Sequence, residues 1–288
     1  MRPLFLEPRR GAEGRLFAVL HWPTAPLRGL VVHAPAFAEE MNKSRRMVAL
    51  QARALASAGL AVLVPDLSGC GDSEGDFAQA TWDSWIDDLA HACGWLRQRV
   101  GDAVTPLAAG PSSCAGRLPL TLWGHRAGAL LATQVAARLG DVSQLMLWQP
   151  TPVGNAVLQQ FLRLAAVGDM LGGQAASGTT TLRQRLLAGE AVEIAGYDLN
   201  PALASGLEAA RLGPVAGVPR LSWLECSPRE GATLSPASSS LLAAWRSAGC
   251  LVHAEAVRGP AFWQSTEIED APALVQATLN ALSRLPCE

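Results

Sequence analysis

The chain has 288 residues, a formal net charge of -2, 49% hydrophobic and 17% charged residues, a balance that excludes a disordered chain and a polyanion binder built on a basic surface. Nucleic acid is therefore not an expected partner, and the length suits one α/β domain carrying an insertion. Six cysteines are scattered without a CxxC pair; they predict free thiols, with no disulfide framework, metal site or cofactor expected.

The opening stretch MRPLFLEPRRGAEGRLFAVLHWP is broken by Glu7, Arg9, Arg10, Glu13 and Arg15, so no leader-type apolar core is expected there. No charge-free segment is long enough to span a bilayer, and the reading is a cytoplasmic protein. Leu4 to Leu6 and Leu16 to His21 read as a strand hairpin around RRGAEG. GLVVHAP (29–35) is a short apolar strand, a helix is expected from about Lys43 to Ala58, and LAVLVPD (60–66) is the next buried strand. Beyond a glycine-rich loop, Trp82, Trp85, Leu89 and Leu96 fall on one helix face.

VTPLAAGPSSCAGRLP (104–119) has no period, so Ser112, Ser113 and Cys114 read as residues of a long surface loop. The strand LTLWG, a helix from Ala127 to Arg138 and the strand VSQLMLWQP (142–150) follow. Strands alternating with helices predict an α/β fold whose central sheet is mostly parallel and covered by helices on both faces.

From Thr151 the alternation stops. VLQQFLRLAAV, LRQRLLAGEAV and NPALASGLEAARL read as helices, with GGQAASGTTT as a break. The strands PRLSWLEC (219–226) and CLVHAEAV (250–257), a helix from about Pro236 to Ser247 and a last helix from about Ala271 to Leu285 complete the order. Residues 1–150 and 218–288 thus form the expected core, and residues 151–217 an inserted helical lid. Neither a P-loop nor an HExxH string occurs, and GGQAASG follows no strand, so it is no dinucleotide fingerprint.

This order resembles the α/β-hydrolase fold over nearly the whole chain. The residues that carry the resemblance are His33, Ala34 and Pro35 at the oxyanion-loop position, PDLSGCGDSEG (65–75) at a D-x-x-G-x-G-x-S turn, and GHRAG (124–128) at the nucleophile elbow. Where the resemblance implies a nucleophilic serine, the chain has Arg126, whose guanidinium stays protonated and only donates. Arg126 also stands at a helix N-terminus, which favours anions. The implied histidine is missing from RGPAFWQSTEIED (258–270), where Phe262 or Trp263 stands near its place, and His253 lies inside the preceding strand. Glu225 and Glu230 are the carboxylates near the acid position. Ordinary Ser-His-Asp chemistry is therefore not expected.

A narrower resemblance lies in PAFAEEMNKSRRM (35–47), GHRAG, LWQP (147–150) and GPAFWQSTEIE (259–269). Together these look like the exosortase A system-associated hydrolases, the hydrolase 2 group of bacterial exosortase and exopolysaccharide gene neighbourhoods. That resemblance implies a bacterial cytoplasmic protein and supplies no substrate.

In this fold the strand preceding the EEMN loop lies beside the elbow strand, so Glu39 or Glu40 could reach Arg126. The pair would be either an anion-orienting pocket with a glutamate as acid or base, or an internal ion pair that braces the loops. Lys43, Arg45 and Arg46 read as a solvated basic turn or an anion clamp. Asp66, Asp72 and Ser73 read as braces of their turn, and Cys70 or Ser73 are the nearby substitute nucleophiles, without an evident base. Candidate ligand-binding residues are Arg126, His33, His125, Trp148, Gln149 and Trp263, the tryptophans being either pocket walls or core filling. Two functions stay open. One is a pseudoenzyme that binds an acidic small molecule or a partner through Arg126. The other is a hydrolase or acyl-transfer enzyme that handles an acyl compound, ester or thioester through a non-serine site, with Glu39 or Glu40 as catalytic candidates.

Overall fold

Short runs of Val, Leu and Ala bounded by glycine and proline form strands buried on both faces, as a parallel sheet sandwiched between helices requires. The computed structural model describes residues 1–9, 14–104, 118–171 and 178–283. The first part runs β1 (Arg2–Leu6), β2 (Leu16–His21), β3 (Gly29–Ala34), α1 (Glu39–Ser57), β4 (Leu60–Pro65), α2 (Trp82–Val104), β5 (Leu120–His125), α3 (Gly128–Leu139) and β6 (Gln144–Trp148). An insertion follows with α4 (Gly154–Leu171), α5 (Thr179–Leu187), β7 (Val192–Ile194), β8 (Tyr197–Leu199) and α6 (Pro201–Ala209). The chain then returns through β9 (Arg220–Ser227), α7 (Pro236–Ser247), β10 (Leu251–Arg258) and α8 (Pro272–Ser283).

Eight strands form one sheet in the order β1-β2-β4-β3-β5-β6-β9-β10. The first two pairings are antiparallel and the rest parallel. Alternate residues of each strand feed two apolar layers. Leu30, Val32, Leu122 and Leu147 meet Leu89, Leu96 and Leu130 from α2 and α3. Val31, Trp123, Met146 and Trp148 meet Met47, Leu55 and Leu274 from α1 and α8. Each fully buried leucine contributes about 1.5–3 kcal/mol to this packing. The start of α2 is fixed by a reciprocal cap, Thr81 and Ser84 each accepting the other's backbone N–H at 3.0 Å.

Two expectations need correction. The helix expected from Lys43 begins at Glu39, so Glu39 and Glu40 lie in the first turn of α1 and not in a loop. Acidic side chains suit the positive end of the helix, and Ala38, at φ 49°, supplies the entry turn. Within the insertion, LRQRLLAGEAV is helical only to Leu187; its end enters the β7–β8 hairpin, whose turn carries positive φ at Ala195 (51°) and Gly196 (82°). That is the conformation two-residue hairpin turns favour. The apex of the first hairpin, the loop with Ser112, Ser113 and Cys114, most of GGQAASGTTT, and the expected end of the last helix lie outside the described residues. Among the described residues, no helix is long and apolar enough to cross a membrane.

Candidate functional site

The chain reverses between β5 and α3 in the five residues GHRAG. A Cβ on Gly124 would stand 2.6 Å from the Ala129 Cα, and one on Gly128 would stand 2.1 Å from the Ala34 carbonyl oxygen. Both positions therefore require glycine, Gly124 for α3 to start close against β5 and Gly128 for it to pass the end of β3. Arg126 sits at the apex with φ 55°, a left-handed conformation that costs a side-chain-bearing residue about 1–2 kcal/mol. Backbone bonds hold it there: its N–H donates to the Trp148 carbonyl at 3.0 Å, and its carbonyl accepts from Ala129 at 3.1 Å and Thr151 at 3.3 Å.

The Arg126 guanidinium meets Glu40. Nε donates to both carboxylate oxygens at 3.2 Å, and Nη2 to Oε1 at 3.0 Å. The two side chains are only 13% and 15% exposed, so the pair is largely withdrawn from solvent. On its other side, the guanidinium carbon lies 5.4 Å from the Trp263 ring centroid, a cation–π distance. Gln160 of α4 reaches the same Glu40 oxygen at 3.5 Å.

Glu39 faces elsewhere. It accepts from the Tyr197 hydroxyl at 2.8 Å, while Asn42 donates to Tyr197 at 3.0 Å. Burial first, and then the bond to Glu39, raise the Tyr197 phenol above its usual range. Adjacent glutamates thus divide the two tasks: Glu40 neutralises the elbow and Glu39 holds the insertion.

The remaining candidates occupy distinct surroundings. His125 is fully buried, stacked on Phe262 at 5.4 Å and edge-on to Trp263 at 5.7 Å. Burial, then His33 and Arg126, hold its pKa well below the usual value, and neither ring nitrogen has a partner among the described residues. Trp148 is buried and donates to Thr278 at 2.9 Å. Gln149, at φ 40°, donates its N–H to Leu224 and accepts from Cys226, each at 2.7 Å, tying β6 to β9. His33 bonds through Nδ1 to the Trp123 carbonyl at 3.1 Å, and burial pushes its pKa down to about 3. The structure therefore brings Glu40, Arg126, Trp263 and His125 together. Trp148 and Gln149 bind the neighbouring strand ends.

In front of the elbow, Phe37, Phe77, Trp85, Phe161 and Tyr197 pack edge to face. Phe37 and Trp85 of this cluster, with Cys70, Trp82, Ala127 and Leu131, line a cavity of about 10 Å³, room for roughly one water. A second opening of about 40 Å³ lies between the first turn of α1 and α4, lined by Glu39, Glu40, Gln160 and Phe161. Nearby thiol chemistry is unfavourable: burial first, then Asp66 and Asp88, push Cys70 up to about 12. Ser73 donates to the Asp66 carbonyl at 2.7 Å and accepts from Phe17 at 2.8 Å.

The basic turn is internally engaged. Arg45 pairs with Asp66 at 3.2 Å, Arg46 with Asp270 at 2.7 Å, and Lys43 donates to the Gln264 carbonyl at 3.3 Å. Glu225 accepts from Trp223 at 2.7 Å and from Ser238, Glu230 approaches Arg258 at 4.0 Å, and His253 stands 3.6 Å from Glu255 on the edge strand. Sequence reasoning did not single out Tyr197, Asn42 or Gln160. The one available signal was that Tyr197 is the chain's only tyrosine.

No protein-family model and no curated protein matches the chain. Among solved structures it is similar to Est1E from Butyrivibrio proteoclasticus with ferulic acid bound, 17% identical at TM-score 0.57, over 94% of this chain and 97% of that one. A highly thermostable carboxyl esterase from Bacillus coagulans in complex with glycerol is 15% identical at TM-score 0.60, over 98% and 97%. XC6422 from Xanthomonas campestris, described as an α/β serine hydrolase without lid, is 15% identical at TM-score 0.58, over 100% and 95%. At such identities the likeness speaks for architecture alone, and with the strand order and the glycine-flanked turn it establishes that this chain has the α/β-hydrolase fold.

Proposed function

We propose that this α/β-hydrolase-fold protein works without serine-hydrolase turnover and binds an acidic small molecule, or an acidic group of a partner, at Arg126. The observation that carries the reading is the Arg126–Glu40 pair. A guanidinium occupies the elbow apex, and a carboxylate of the same chain already fills the place an anionic ligand would take. Glu40 lines the opening between α1 and α4, so an incoming carboxylate exchanges with it at the end of that cleft, where low solvent exposure strengthens charge-assisted bonds. The insertion, residues 151–217, acts as the lid over this exchange. The resemblance to the exosortase-associated hydrolase 2 group supports a place beside bacterial exopolysaccharide or surface-protein maturation, in the cytoplasm. The high Cys70 pKa and the commitment of the Ser73 hydroxyl to the Asp66 carbonyl weigh against a substitute nucleophile.

The test pairs chemistry with binding. Fluorophosphonate labelling and an ester and thioester hydrolysis panel are expected to be silent for the wild type, whereas octanoate binds saturably by calorimetry. Removing the internal competitor with Glu40→Gln tightens octanoate binding about tenfold, the worth of one charge-assisted contact, and Arg126→Ala abolishes it. Turnover that survives Arg126→Ala would overturn the reading.

A further inference from the structure

A separate cavity of about 200 Å³ lies between α1 and the strands β2, β3 and β4; neither Arg126 nor Glu40 contributes to its wall. The wall is largely apolar, with Met41, Val48 and Val64, and includes two histidines, His21 from the end of β2 and His33 from β3. Each histidine is only 3% exposed. A carbonyl oxygen can only accept, so the 3.1 Å contact between His33 Nδ1 and the Trp123 carbonyl fixes the proton on Nδ1. His33 Nε2 is left with a lone pair and no hydrogen-bond partner among the described residues. His21 likewise makes no side-chain hydrogen bond among them.

Charge does not recommend this cavity to an ion. The wall carries one ion pair, Arg45 with Asp66, satisfied within itself with both arms at 3.2 Å, Asp66 also accepting the Asp72 N–H at 3.0 Å, and Met1 brings the N-terminal ammonium, whose charge acts on His21. An anion would face the Asp66 carboxylate and a cation the Arg45 guanidinium. The imidazoles stay neutral, burial pushing His21 down to about 4 and His33 down to about 3. Size sets a further bound. A dry apolar cavity of about 150 Å³ accommodates benzene, so this one has room for a substituted single ring. A lone pair on a buried nitrogen seeks an O–H or N–H donor.

We propose that this cavity is a second binding site, for an uncharged and mainly apolar small molecule of the phenol or short-alcohol class, whose hydroxyl donates to Nε2 of His33. The assignment goes beyond the elbow reading and stands on different residues.

The probes are p-cresol and its methyl ether, 4-methylanisole, which share the methylated ring and the oxygen, the ether having a methyl in place of the donated proton. Calorimetry is expected to give saturable p-cresol binding at least about tenfold tighter than 4-methylanisole, the ratio set by one ordinary hydrogen bond. Ala49 lies at the half-buried rim, so Ala49→Phe fills the cavity and removes p-cresol binding without demanding a new fold. His33→Phe removes the preference for the phenol. Should that variant not fold, the 15N resonance of His33 Nε2 in the wild type is expected to shift with p-cresol and not with the ether. Equal affinity for the two probes, no saturable binding at millimolar p-cresol, or binding that persists in Ala49→Phe would each overturn the proposal. The octanoate experiment is independent of all three outcomes.

Discussion

Arg126 and Glu40 form a pair whose members are each costly to leave alone. With both side chains largely withdrawn from solvent, removing one partner strands the other charge, whereas replacing both with apolar groups removes the desolvation penalty as well. Arg126→Met and Glu40→Leu are each expected to lower stability by about 2 kcal/mol, and the Arg126→Met/Glu40→Leu double variant to recover at least half of that loss. Urea titrations of the four proteins measure this directly; strictly additive losses would mean that the pair carries no coupling. The elbow itself was legible in the sequence, because Gly124 and Gly128 are demanded by backbone contacts that no other residue satisfies. The choice between Glu39 and Glu40 was not. It depends on the helix starting at Glu39, and Ala38 offers none of the side-chain caps by which such starts are read.

At the scale of elements, the first turn of α1 is where residues 151–217 are tied to the sheet-bearing part of the chain. Tyr197, next to the β7–β8 turn, reaches back to Glu39 and Asn42, and Gln160 of α4 reaches Glu40. These polar ties close over the aromatic cluster of Phe37, Phe77 and Phe161. Tyr197→Phe keeps the ring and deletes the hydroxyl, so it is expected to cost about 1 kcal/mol and to speed amide exchange in α4 and α6 while leaving β3 to β6 protected. Uniform protection across both regions would show that the insertion is not held by this bond. Legibility again follows the physics. The parallel strands stood out because burial on both faces makes them continuous apolar runs, as in Leu60–Pro65 and Gln144–Trp148. β7 and β8 have three residues each, too few to show a period, and only the Ala195–Gly196 turn marks them.

For the molecule as a whole, buried histidines set the response to acid. His21 and His33 are pushed down to about 4 and about 3, and His125 lies well below its usual value. The unfolded chain takes up protons on these rings below about pH 6.5 while the folded chain does not, so the unfolded state binds more protons and stability falls as the pH drops from there. The expected loss is about 1.4 kcal/mol per pH unit for each such ring. Urea melts between pH 7.5 and 5 measure the slope. His125→Phe, which places a ring of similar shape among Phe262, Trp263 and Trp148, is expected to flatten it and to leave stability at pH 7.5 within about 1 kcal/mol, since no hydrogen bond is lost. An unchanged slope would place the acid sensitivity elsewhere.

The glycine contacts beneath the elbow have one more consequence. Gly124 is pressed against Ala129 and Gly128 against the carbonyls of Ala34 and Pro35, so the backbone at position 126 is set by its neighbours, whatever side chain it bears. The sheet behaves there as a fixed mount and the side chain as an exchangeable fitting. A substitution library confined to this one position would sample different chemistries on constant geometry, with proline excluded by its fixed φ and missing N–H and the β-branched residues disfavoured most among the rest by the left-handed backbone.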